Sequence, residues 1–125
     1  MRATKRRRPE ADLHKAVAQY LNLALPKNCW WSAIGHGGGG KIRGAQLKAM
    51  GLARGVPDIM IVPPEGDFSW RIIWIELKSK IGVLSAEQKA THKILSDLGC
   101  LVLVARSVSD VFDGLTNTIK LRARP

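Results

Sequence analysis

Acidic residues are scarce in this chain of 125 residues: ten Asp and Glu stand against twenty Lys and Arg, for a net charge of +10 and a pI near 10.2. Between Leu13 and Pro57 there is no acid at all, while Lys15, Lys27, Lys41, Arg43, Lys48 and Arg54 all fall in that interval. An acid-free stretch of this length favours a phosphate-facing surface over simple solubilisation. The overall balance points to a polyanionic partner, most often nucleic acid. Cysteine is as sparse: Cys29 and Cys100 are too few and too isolated for a disulfide framework or a zinc site, and read as small buried hydrophobes in a reducing compartment. His14, His36 and His92 lack the i, i+4 spacing of a histidine metal site. No apolar run approaches the roughly 18 residues needed to cross a membrane. The basic N-terminus leads into a polar segment rather than an apolar one, so it is not a secretion signal. The expectation is a soluble, cytoplasmic protein that is not secreted.

What is present organises as one unit. Residues 1–8, with Arg6, Arg7 and Arg8, form a basic N-terminal arm, and residues 9–125 a single domain without internal repeats. Pro9 suits a helix start, and Leu13, Ala16, Val17, Tyr20, Leu21 and Ala24 recur at helical spacing, predicting an amphipathic helix from Glu10 to about Leu25. Residues 29–34 read as a strand, followed by a glycine loop and a short helix over 45–50 closed by Gly51. Two further strands, 58–62 and 70–80, are joined by the turn-forming sequence Pro-Pro-Glu-Gly-Asp and make a hairpin. A helix from Ser85 to about Leu98, a buried strand over 100–105 and a last helix starting near Ser107 complete the order.

The hairpin carries the chemistry. Asp58 heads its first strand, directly after Pro57. Glu76 lies inside the second, between Ile75 and Leu77. Strand side chains alternate, so Glu76 and Lys78 share a face opposite Ile75 and Leu77. A carboxylate in such a strand is costly unless a cation or hydrogen bonds compensate it. A register that sets Asp58 beside Glu76 brings two hard oxygen ligands together, which suits Mg²⁺ or Mn²⁺. Lys78 on the same face can orient a water and offset developing charge. A surface Glu-Lys pair on an edge strand is the bland alternative for Glu-Leu-Lys alone; Pro57-Asp58 and the net charge favour the metal site. Two residues stay open on spacing alone. Glu10, at the edge of the first helix's apolar stripe, is either an acid favoured by the helix dipole or one turned to the site. Gln88 follows Ser85 as S-x-x-Q, a capping box.

Pro57-Asp58, Glu76-Leu77-Lys78 and Ser85-x-x-Gln88, within the stretches GLARGVPDIMIV, WIELKSKIGVLSAEQ and LGCLVLVARSVSD, resemble the VRR-NUC (virus-type replication-repair nuclease) family of the PD-(D/E)XK nuclease superfamily. The similarity spans about Glu10 to Asp113. It implies an α/β, restriction-endonuclease-like αβββαβ core with a mixed central sheet flanked by helices, an order the reading above matches. It further implies that Asp58, Glu76, Glu10 and the Leu77 backbone carbonyl bind Mg²⁺ or Mn²⁺, with Asp58, Glu76, Lys78 and Gln88 catalytic. Lys41, Arg43, Lys48 and Arg54, with the arm arginines, would contact DNA. Small stand-alone members resemble viral or bacterial homodimers acting on branched DNA such as four-way (Holliday) junctions. Of the adjacent Trp30 and Trp31, one must face a surface or an interface, which agrees with a dimer. The competing class is a DNA-structure-binding module on the same fold that does not cut.

Gly35 to Ile42, GHGGGGKI, also imitates a phosphate-binding loop, with Ile72–Glu76 in the place of an Mg²⁺-directing strand. Ile42 lacks the hydroxyl such a loop needs, Gly44 stands where its helix would start, and Asp58 and Lys78 would have no role. The sequence therefore speaks against an NTPase and a nucleotide cofactor. The loop is either a phosphate contact, with Lys41 and Arg43, or slack in a surface connection.

Overall fold

The computed structural model describes residues 9–34, 40–65 and 71–125, of which 40–43 by their backbone alone. Helix α1 (Pro9–Ala24) is followed by β1 (Trp30–Ala33), α2 (Gly40–Ala49), β2 (Ile59–Val62), β3 (Ile73–Leu77), α3 (Ala86–Asp97), β4 (Leu101–Ala105) and α4 (Val108–Leu115). The strands form one sheet in the order β1-β2-β3-β4, antiparallel across the first three and parallel between β3 and β4. The sheet is thus mixed, and α3 is the crossover that a parallel pair requires.

One face of the sheet makes the core. Ile59, Ile61, Ile73, Ile75 and Leu77 alternate onto it and meet Val17, Leu21 and Ala24 of α1 and Val111 and Leu115 of α4, all buried. The chain's end closes this layer. Arg122 donates from its backbone N–H to the Ala24 carbonyl (2.7 Å) and from Nε to the Leu25 carbonyl (2.9 Å). Two carbonyls left open by the end of α1 are satisfied in this way. Tyr20 adds a hydroxyl hydrogen bond to the Ala123 carbonyl at 2.8 Å.

The element order agrees with the sequence expectation, while several limits move. Helix α2 begins at Gly40, well before residue 45, and runs through Gly44, where a Cβ would meet nothing within 4 Å. A glycine in an exposed helix costs only about 1 kcal/mol, too little to stop it. Gly51 closes α2 at φ 98° as expected. Strand β3 ends at Leu77 rather than Lys80, although Lys78 still donates to the Ala105 carbonyl at 3.0 Å before residues 79–82 turn away. The start expected for this strand at Trp70 lies outside the described residues, as do the N-terminal arm with Arg6, Arg7 and Arg8, the glycine loop over 35–39 and the tip of the hairpin turn. Among the described residues no helix is long and apolar enough to cross a membrane. Cys29 and Cys100 are free thiols and half-buried rather than fully interior.

Candidate active site

The hairpin register delivers the acid pair. Ile59 lies opposite Ile75, Met60 opposite Trp74 and Ile61 opposite Ile73. One further step sets Asp58 opposite Glu76. The Asp58 carboxylate turns back on the strand, where Oδ2 accepts the Leu77 backbone N–H at 2.7 Å. Asp58 thereby takes the ladder position that a backbone carbonyl would fill, which fixes it beside β3.

Among the described residues Glu76 is the buried charged one, 2% exposed. It sits on the face away from the isoleucines, under α3. Burial, a side-chain hydrogen bond with Asp58 and the Asp58 charge push its carboxyl up to about 8, with Lys78 opposing and Glu10 adding to the rise. Near neutral pH Glu76 therefore holds a proton in the metal-free protein, and its hydroxyl can donate to Asp58. Two acids sharing one proton form a site whose electrostatics favour a cation in the proton's place.

His92 completes this arrangement, and its isolated spacing in the sequence gave no sign of it. From α3 its Nε2 lies 3.1 Å from Glu76 Oε1, with the imidazole 11% exposed. Burial and the Lys78 charge lower the His92 pKa, so the contact near pH 7 is a hydrogen bond between neutral groups. His92→Ala should leave Glu76 Oε1 without this partner and cost about 2–3 kcal/mol in urea unfolding. His92→Gln, which can still reach the carboxyl, should recover part of that loss.

Lys78 and Glu10 meet at the turn after β3. A Cβ built on Gly82 would lie 3.4 Å from both Glu10 Oε1 and Lys78 Cδ, and 3.1 Å from Ser79 Oγ. The first turn of α1 therefore brings Glu10 near the end of β3, beside Gly82. Arg106, which follows β4, holds the turn: NH1 donates to the Ser79 carbonyl (2.6 Å) and the Gly82 carbonyl (2.7 Å). The sequence offered no signal for this clamp, because it joins segments 24 residues and more apart.

Gln88 is the N3 residue of a complete capping box on α3, its Oε1 accepting from Ser85 N–H at 2.9 Å while Gln88 N–H donates to Ser85 Oγ at 3.1 Å. The bland reading of its spacing describes its observed contacts. Lys48 and Arg54 line a groove between α2 and α3, whereas the side chains of Lys41 and Arg43 lie outside the described residues. Trp30 is 53% exposed and Trp31 packs on the core, donating from Nε1 to Asn22 Oδ1 at 3.2 Å, so the two do face opposite ways.

As a metal site, the donor chemistry fits and the shell is partial. Asp58, Glu76 and the Leu77 carbonyl are hard oxygen donors of the kind Mg²⁺ and Mn²⁺ take. Among the described residues no three His, Cys, Asp or Glu side chains close on a common point. A shell of one or two carboxylates completed by water and substrate oxygens is the usual Mg²⁺ arrangement.

Two solved structures share this architecture. One, described as a VRR_NUC domain protein, superposes with a TM-score of 0.70 over 93% of this chain and 92% of its own at 20% identity. A second, described as a VRR_NUC domain, gives 0.58 over 89% and 97% at 18% identity. The chain has the VRR-NUC fold. Protein-family models give no match to the sequence, and neither do the curated proteins. The strand before the glycine-rich segment differs from the one a phosphate-binding loop requires, a ground the sequence does not show. The helix that Gly44 was expected to block does begin next to Lys41. Strand β1, however, is an edge strand antiparallel to β2, not the parallel strand that feeds a phosphate-binding loop. Ile42 still lacks the hydroxyl.

Proposed function

We propose that the protein is a metal-dependent endonuclease that hydrolyses DNA phosphodiesters at Asp58, Glu76 and Lys78. The observation that carries this reading is a buried glutamic acid, 2% exposed, set against a second acid at the end of a hairpin with a lysine on the same face. An acid in so unfavourable a place has no structural use that a leucine would not serve better. A divalent cation held by Asp58, Glu76 and the Leu77 carbonyl would supply Lewis-acid polarisation of the phosphoryl oxygen and an acidified water. Lys78 would orient that water and offset the charge that develops on the phosphate. Glu10 would complete the shell from α1, and His92 holds the Glu76 carboxyl from α3. Gln88 serves chiefly to start α3, the helix that carries His92. The net charge of +10 holds the polyanion near the site.

The preferred substrate is branched DNA such as a four-way junction, cut by a homodimer whose two sites match the junction's two-fold symmetry. The exposed Trp30 agrees with a second subunit. The resemblance to small stand-alone nucleases further suggests a viral or bacterial cytoplasmic setting. The test is cleavage of a four-way junction and a matched linear duplex in Mg²⁺, Mn²⁺ or EDTA. Metal-dependent cutting is expected, falling about 100-fold or more in Lys78→Ala, with junction preferred over duplex. Tight binding with no cutting in either metal would leave a structure-specific DNA-binding module instead.

A further inference from the structure

A groove of about 760 Å³ opens between α2 and the N-terminal turn of α3. Its charged lining residues are Lys48, Arg54 and Glu87, and Gln88 and Val56 also face it. The groove's walls are tied together closely. Gly55 has φ +75°, and a Cβ there would lie 2.3 Å from the Glu87 carbonyl oxygen, so the loop backbone rests directly on the first turn of α3. Thr91 Oγ1 donates to the Arg54 carbonyl at 2.6 Å, pinning the same loop one turn further along. The backbone of Arg54 is thus held, while its side chain, largely exposed, makes a loose ion pair with Glu87 at 3.6 Å. A pair so open to water is easily exchanged for a stronger anion.

The groove's lining adjoins the acids in the chain. Val56 lines it two residues before Asp58, and Gln88 lines it one helical turn before His92, which touches Glu76.

We propose that this groove takes the sugar–phosphate backbone of the strand next to the bond being cut. Lys48 and Arg54 are its phosphate contacts, and Glu87 is the opposing charge that Arg54 leaves on binding. This rests on the nuclease reading for what happens at the acids, though not for the binding itself. Phosphate contacts predict a loss of affinity for each cation removed. The Glu87 partnership predicts a gain when that acid is neutralised, which misfolding cannot mimic.

The experiment is fluorescence anisotropy of a labelled four-way junction in EDTA, across a salt series, with cleavage in Mg²⁺ measured separately. Lys48→Ala and Arg54→Ala should each weaken binding about five- to tenfold at 0.1 M salt and lower the salt slope by about 1. Glu87→Gln should tighten binding about two- to fivefold. Lys120→Ala, beside the tail at the other end of α1, should change binding less than the groove variants. Lys48→Ala and Arg54→Ala binding no worse than Lys120→Ala would overturn the assignment. Weakening in both without any tightening in Glu87→Gln would overturn it too. If the groove variants behave as expected and nothing is cut, the nuclease reading alone falls. If cutting is seen and the groove variants match the control, the groove alone falls.

Discussion

Glu76→Gln is expected to abolish cleavage and to make the metal-free protein more stable at alkaline pH. The activity loss, about 10³-fold, follows from removing a negative oxygen ligand while keeping the shape of the side chain. The stability gain follows from the raised carboxyl. In the folded protein Glu76 titrates at about 8 against an ordinary value of 4.5. Between those values the folded state binds a proton that the unfolded chain does not, so stability falls as pH rises through the window. The favourable contribution is fully present below about 4.5, and it is lost by the time pH passes about 8. Gln does not titrate, and its amide can still donate to Asp58 and accept from His92. The two proteins should therefore have nearly equal stability at pH 5 and diverge steadily, with Glu76→Gln ahead by on the order of a few kcal/mol at pH 8.5. Urea unfolding in EDTA at pH 5, 7 and 8.5 measures this. Stability curves that run parallel across that range would show that Glu76 is neither desolvated nor opposed by Asp58 as the geometry requires.

A carboxylate placed at such a cost is what makes the candidate site legible in the sequence. An acid among Ile75, Leu77 and their neighbours breaks the local pattern without a local remedy, and rules broken in this way mark function. Alternation puts Glu76 and Lys78 on one face, a near-neighbour relation with a fixed period that a sequence displays. The register that sets Asp58 opposite Glu76 is only a condition in the sequence, and the strand pairing supplies it. His92 and Arg106 were not legible because their roles depend on how α3 and the end of β4 dock against β3. Nothing in the spacing of His92 says that its helix lies over Glu76, and nothing around Arg106 says that Ser79 and Gly82 are within reach. The early start of α2 is hidden for the opposite reason. Gly44 reads as a breaker, yet an exposed helix absorbs one glycine at small cost. For Gln88 the S-x-x-Q spacing alone makes the capping box legible, and the structure shows that box complete.

Adding Mn²⁺ or Mg²⁺ to the metal-free protein should raise its melting temperature, and by more at pH 8.5 than at pH 6. In the proposed site the cation would take the place of the proton shared by Asp58 and Glu76, so below about 8 it would first have to displace that proton. Its apparent affinity should consequently drop by up to about tenfold for each pH unit below that point. At a metal concentration about 100 times the dissociation constant, binding to the folded state alone stabilises by about 2.7 kcal/mol. For a chain of this size that is a shift of roughly 10 °C. Glu76→Gln and Asp58→Asn should lose the shift. Glu10→Gln should keep more than half of it, because Glu10 stands against Gly82 and Lys78 and does not close with the acid pair on one point. Thermal melts with and without EDTA separate these outcomes without any need for a substrate. A shift equal at both pH values would place the cation away from Glu76. A shift that survives both Glu76→Gln and Asp58→Asn would place it at another site altogether, and the buried acid pair would then need a different explanation.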